Sequence, residues 1–151
     1  MGRCEGRVAF VTGASRGIGR AIAKRFAAEG ASVVVNASRL GAHGELQGTL
    51  EQTVSEIESA GGKAAALVCD LTDPSAREGL IEKASAHFGA IDMLVNNAAS
   101  GIMRLPSQTT NDERTRMFEL NVNAPVDLAQ QSLEGMKAQG GGPILNTGSA
   151  T

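Results

Sequence analysis

Tyrosine and tryptophan are both absent from these 151 residues, so chemistry that needs a phenol as acid or base cannot be completed within them. Cysteine is nearly absent too. Cys4 and Cys69 stand far apart without metal-ligand spacing, which leaves reduced thiols rather than a disulfide or zinc site, with Cys69 expected to be buried at a strand end. His43 and His87 are equally isolated, each reading as a surface or helix-end residue, and no metal site is expected. Neither charge is in excess: 14 Lys and Arg against 16 Asp and Glu give −2, with no basic cluster to neutralise phosphates. Nucleic acid is not expected as a partner. No apolar run reaches the ~20 residues of a membrane-spanning helix, and residues 1–6 enter the first strand without a signal-peptide hydrophobic region. No membrane partner and a cytoplasmic location are expected. Met1-Gly2 opens like a myristoylation site, but Gly6 stands where that signal needs Ser or Thr.

What is present is ordinary soluble composition, 42% hydrophobic and 20% charged, enough for one domain over residues 1–151. Strand-like runs recur at 7–12, 32–36, 63–69, 91–96 and 143–147, and helix-like stretches separate them. Near-continuous apolar strands such as Val33-Val34-Val35 suit a sheet covered on both faces. The expected fold is therefore α/β, a doubly wound parallel sheet of Rossmann type with ligands at the carboxyl ends of its strands. The first helix, 17–29, carries Ile18, Ile22, Ala23 and Phe26 at helical spacing, so the side chains of Ile18, Ile22 and Phe26 read as core. A second runs from about Leu46 to Ala60, and a third from Asp73-Pro74 to Phe88. The segment 110–138 reads as one long helix bent at Pro125, with Thr110, Asn111 and Asp112 as capping candidates. The long connection 37–48 reads as a surface insertion in preference to a mobile flap.

The stretch that organises the rest is Thr12-Gly13-Ala14-Ser15-Arg16-Gly17-Ile18-Gly19, between the apolar run Val8-Ala9-Phe10-Val11 and a helix. Glycines there permit close backbone approach, and the free N–H groups of the helix start can face a phosphate. It reads as the cradle of a dinucleotide pyrophosphate. Other candidates follow in order: Cys69-Asp70-Leu71 at the end of strand three, Asn96-Asn97-Ala98-Ala99 at the end of strand four, Asn121 in the long helix, and Ser149 after strand five.

The spacing Gly-x-x-x-Gly-x-Gly together with this ordered set resembles the short-chain dehydrogenase/reductase family over essentially the whole chain. The resemblance implies that Gly13, Ser15, Arg16, Gly17, Ile18 and Gly19 hold the cofactor phosphates. It implies that Asp70 and the Leu71 backbone hold adenine, and that Asn97 and Ala98 border a ribose while stabilising the central sheet. Ala99 stands where the family usually has glycine. Asn121 resembles the asparagine that holds a relay water, and Ser149 the serine that hydrogen-bonds the reacting oxygen. The family's acid/base is a tyrosine in Tyr-x-x-x-Lys soon after that serine. That element is absent from these residues, so the sheet's last strands are expected to be missing and the chain to be the N-terminal part of a longer enzyme.

The end of strand two, Val35-Asn36-Ala37-Ser38-Arg39, offers no carboxylate to take a ribose 2′-hydroxyl. Arg16 and Arg39 suit a 2′-phosphate, so NADP(H) is preferred and NAD remains possible. The resemblance implies hydride transfer on a small-molecule carbonyl or secondary alcohol, and a homodimer or homotetramer built through the helix carrying Asn121. The loop Ser100-Gly101-Ile102-Met103-Arg104-Leu105-Pro106 either lines an apolar substrate mouth or packs under further chain. A catalytically silent nucleotide-binding module is the alternative, and an extended-branch epimerase is disfavoured because its Gly-x-x-Gly-x-x-Gly spacing is not present.

Overall fold

The structure, a computed structural model, describes residues 2–42 and 47–148. Apolar residues run almost unbroken through Val8–Val11 (β1) and Ser32–Ala37 (β2), and alternate side chains on a strand point to opposite faces. Both faces are therefore apolar, and both are covered. Lys63–Val68 (β3), Met93–Asn96 (β4) and Ile144–Asn146 (β5) complete one sheet in the order β3-β2-β1-β4-β5, with every pairing parallel. Phe10 at the centre of β1 pairs with Val34 on one side and Leu94 on the other.

One face gathers Ala9, Val11, Val33, Val35 and Val95 under Gly17–Ala28 (α1) and Leu50–Ser59 (α2), where Ala23, Ala27, Leu50 and Ile57 close the layer. Val8, Phe10, Val34 and Leu94 face the other way. They pack beneath Leu80–Phe88 (α4) and Ala124–Ala138 (α6), through Leu80, Ile81, Ala84, Leu128 and Met136. The doubly wound layering expected from the strand composition is what forms.

Three helices differ from the sequence reading. The segment expected as one helix from Asp73 is two: Pro74–Arg77 (α3), capped by Asp73 on Ser75 N–H, and α4. The break is at Gly79, whose φ of 64° is left-handed, and the Arg77 carbonyl there accepts from Gln131 Nε2 at 3.0 Å instead of continuing a helical ladder. The second helix begins at Leu50 with Thr49 as its cap, and Leu46, proposed as its start, lies outside the described residues together with His43. The long helix is in three parts: Asn111–Phe118 (α5), a π-helical turn over Glu119–Asn123, and α6. Proline has no N–H and its ring crowds the carbonyl four residues back. Ahead of Pro125 that carbonyl belongs to Asn121, and the widened turn takes up the conflict in place of a simple bend.

Thr110 caps α5 in a reciprocal box: its Oγ1 accepts from Glu113 N–H at 3.2 Å while Glu113 Oε2 accepts from Thr110 N–H at 2.9 Å. Thr110→Ala should cost about 1 kcal/mol. Faster amide exchange at Glu113, with β1 and β2 unchanged, is the measurement that checks it.

Candidate functional site

The strand order reverses between β1 and β4, and the crevice opens there, at the carboxyl ends of the strands. It holds about 670 Å³. Gly13, Ser15, Arg16, Gly17 and Ile18 form one wall, Arg39 and Asp70 to Thr72 another, and Asn97 to Ser100 a third, with Arg116 and Leu120 reaching in from the far helix.

The glycine turn is held to the sheet by polar side chains at the strand ends. Thr12 Oγ1 accepts the Asn97 and Ala98 N–H groups at 3.0 Å each and donates to Val95 O at 3.3 Å. Asn97 Nδ2 donates back to the Thr12 and Gly13 carbonyls at 3.1 and 3.2 Å. Gly13 has a φ of 63°, and a Cβ on it would press 2.8 Å from Ala98 Cα. Gly19 has no space for a side chain: a Cβ would run into Asn97 Nδ2 and the Gly13 carbonyl. The turn is thus packed too tightly for anything but glycine at these two places.

Asn36 closes the other side. It is buried, its Nδ2 donates to Leu67 O and Cys69 O at 2.9 and 3.3 Å, and its carbonyl accepts Ala14 N–H at 2.9 Å. The sequence reading used Asn36 and Thr12 only as neighbours of other residues. A buried asparagine inside an apolar strand was the signal available for Asn36.

The start of α1 is left open. Arg16 is its N-cap in extended conformation, no side chain caps it, and no acidic residue occupies the first turn. Its first N–H groups and the positive end of the helix dipole therefore face the crevice. Arg16 Nη1 is buried with no hydrogen-bond partner among the described residues. An orphaned cation beside uncapped N–H groups fits an anionic phosphate. Ile18 corrects the sequence reading of its side chain as core. It is 68% exposed at the crevice, because the first turn of α1 projects past the sheet while Ile22 and Phe26, one and two turns on, pack against the core.

Asp70 is exposed and forms its own turn, Oδ1 accepting Thr72 N–H at 3.0 Å and Thr72 Oγ1–H at 2.8 Å. Its Oδ2 lies 3.9 Å from Arg116 Nη2. Leu71 is buried in the core, so only its backbone is available to a ligand. Cys69 is buried as expected, and burial pushes its thiol pKa up, so it stays protonated. Ala99 needs no glycine, since no described non-glycine residue has a positive φ.

Asn121 sits in the π-helical turn with both amide atoms engaged. Oδ1 accepts Ser100 N–H at 2.9 Å and Nδ2 donates to Ser100 O at 2.7 Å. It pins the loop after β4 to the helix. Ser149 lies outside the described residues. Among the described residues no three His, Cys, Asp or Glu side chains come together, and no helix is long and apolar enough to cross a membrane. A second cavity of about 580 Å³, between α1 and α2, is lined by Ala21, Ala28 and Ile57.

A family model of the short chain dehydrogenases matches residues 7–151. The chain belongs to that family. Among the chain's relatives is the hydroxysteroid dehydrogenase-like protein 2 of Xenopus laevis, 42% identical over 120 residues, which are 80% of this chain and 29% of the relative. A metagenomic short-chain oxidoreductase solved in complex with NADP superposes with a TM-score of 0.87 at 34% identity, over 97% of this chain and 64% of that one. A 7α-hydroxysteroid dehydrogenase complexed with NADH and 7-oxo glycochenodeoxycholic acid gives 0.87 at 37% identity, over 97% of this chain and 55% of that one. The chain therefore spans roughly a third to two thirds of the length of these short-chain dehydrogenases, and structures of the family hold either nicotinamide dinucleotide.

Proposed function

We propose that this chain forms the cofactor-binding part of an NADP(H)-dependent oxidoreductase that interconverts a carbonyl and a secondary alcohol. The observation that carries the choice of cofactor is Arg16 Nη1, buried without a partner among the described residues, in the same crevice as Arg39, where the end of β2 offers no carboxylate. Two guanidinium groups suit a 2′-phosphate, and a carboxylate there would repel it.

When bound, the cofactor supplies or accepts hydride at its nicotinamide ring. The chain's own residues bind and orient it. The open N–H groups at Gly17 to Gly19 take the pyrophosphate, Asp70 and the Leu71 backbone take adenine, and Asn97 and Ala98 border a ribose. Asn121 sets the Ser100 loop at the crevice mouth, and Ser149 is assigned to the reacting oxygen. Ile102, Met103 and Leu105 follow that loop, and Met103 is 99% exposed. This apolar rim, with the steroid-type names of the relatives, supports a hydrophobic cyclic alcohol or ketone as substrate. Phe118, Val122, Val126 and Leu133 lie exposed at helical spacing, which supports a second copy of the chain as partner. A cytoplasmic setting belongs to the same reading, supported by the two free thiols.

Titration of the protein with NADPH and NADH tests the proposal. NADPH is expected to bind about thirtyfold more tightly, and Arg39→Ala to weaken NADPH about tenfold while leaving NADH unchanged. Equal or tighter binding of NADH would overturn the NADP(H) assignment. Tight binding without turnover on any cyclic ketone, measured on a full-length protein, would favour the silent nucleotide-binding module.

A further inference from the structure

Arg77 is the most deeply buried charged residue among the described residues, its side chain only 3% exposed. Its guanidinium meets three separate segments. Nη1 donates to the Leu71 carbonyl at 2.6 Å, Nε to Asp127 Oδ2 on α6 at 2.8 Å, and Nη2 to Glu119 Oε2 in the π-helical turn at 2.9 Å. Nη2 also lies 2.7 Å from Asp127 Oδ2. Burial by itself would lower the Arg77 pKa, but the hydrogen bonds it donates to Asp127 and Glu119 outweigh that and hold the group as a cation. Glu119 is in turn held below its ordinary range by the Arg77 hydrogen bond and by Asn123.

A buried ionic cluster of this kind is seldom needed for stability, since apolar side chains of equal volume often do as well. What an apolar side chain cannot do is hold the Leu71 carbonyl. Leu71 lines one wall of the crevice. Glu119, at the other end of the cluster, is two residues from Asn121, which grips the Ser100 backbone on another wall. A continuous chain of hydrogen bonds and one helical turn thus runs from Leu71 through Arg77, Glu119 and Asn121 to Ser100.

We propose that Arg77 is a positioning residue that couples these two walls, so that the Asp70–Leu71 turn and the Ser100 loop are set as one unit. The fork geometry matters as well as the charge, because three partners in different directions need the separate nitrogens of a guanidinium. The effect on nucleotide binding rests on the cofactor reading above, whereas the coupling itself does not.

The test is amide hydrogen exchange on the full protein carrying Arg77→Lys, with 2′,5′-ADP titration beside it. Exchange at the Thr72 and Ser100 amides is expected to quicken about tenfold, with Phe10 and Val34 in the central ladder unchanged. Affinity for 2′,5′-ADP should fall by a similar factor. Unchanged exchange at Ser100, even with faster exchange at Ile81, would overturn the proposal. Equal acceleration of the ladder amides would also overturn it, because a packing role alone would do that. If Arg77→Lys does not fold, Asp127→Asn keeps the shape of the cluster and is read on the same amides. A wild-type protein that ignores 2′,5′-ADP would refute the cofactor reading, and the exchange result would still decide the coupling.

Discussion

Gly19→Ala and Gly135→Ala, the same chemical change in two helices, are expected to move stability in opposite directions. Gly135 lies on the exposed side of α6, and a Cβ there meets nothing within 4 Å. Alanine should therefore add about 0.5–1 kcal/mol by removing unfolded-chain entropy. At Gly19 the same gain is available, but the new Cβ would collide with Asn97 Nδ2 and with the Gly13 carbonyl. The amide can swing aside, but only by giving up its bonds to Thr12 and Gly13; the carbonyl is backbone and cannot move without shifting the turn. Overpacking of this kind costs about 1–3 kcal/mol, so the net result is a loss of about 1–2 kcal/mol. The effect on ligand is larger. Shifting Gly13 and Asn97 displaces the N–H groups assigned to the phosphates, and on the NADP(H) reading proposed above NADPH affinity should fall roughly a hundredfold. Thermal unfolding and NADPH titration of the two variants provide the comparison. Equal stabilisation by both would show that the glycine turn has more room than its packing implies.

Thr12→Val should be the most destabilising of these substitutions. Valine has nearly the shape of threonine, so packing is retained and the change isolates one oxygen atom. That oxygen accepts two backbone N–H groups, from Asn97 and Ala98, in a position where Thr12 is 1% exposed. Each orphaned buried donor costs about 1–3 kcal/mol. A total of about 3 kcal/mol follows, or roughly 10 °C in Tm for a chain of this size. Thr12→Ser keeps the oxygen and should recover most of the loss. If serine and valine destabilise alike, the hydroxyl is not what joins β1 to β4.

The parts of this architecture that the sequence makes legible are those set by short-range pattern. Val33-Val34-Val35 and Val8 to Val11 show two apolar faces directly, and Gly13, Gly17 and Gly19 mark the turn, Gly13 and Gly19 because a Cβ would collide there and Gly17 because its φ of 55° is left-handed. Asp73-Pro74 and Thr110 announce helix starts because their caps are local. What is not legible depends on partners far along the chain. Ile18 fits a core-facing helical stripe, and only the position of the crevice shows that the first turn of α1 lies beyond the sheet. Glu78-Gly79 interrupts a helix because Gln131, more than fifty residues on, takes the Arg77 carbonyl. Arg77 carries no local signature at all. Asn121 is conspicuous as a residue type, but its hold on Ser100 depends on a loop folding back across the end of the sheet.

The π-helical turn at Glu119–Asn123 is in effect an extra residue wound into an otherwise ordinary helix. The i→i+5 ring of a π turn holds one residue more than the i→i+4 ring of an α turn, so five residues here sweep about the angle that four sweep on either side. The surplus goes into girth, and α5 and α6 run on as one rod with their faces in phase. In an alignment, removing one residue from this turn would look like one missing letter. In space it would leave both halves of the rod facing as they do and take away only the bulge that offers Asn121 to the Ser100 backbone.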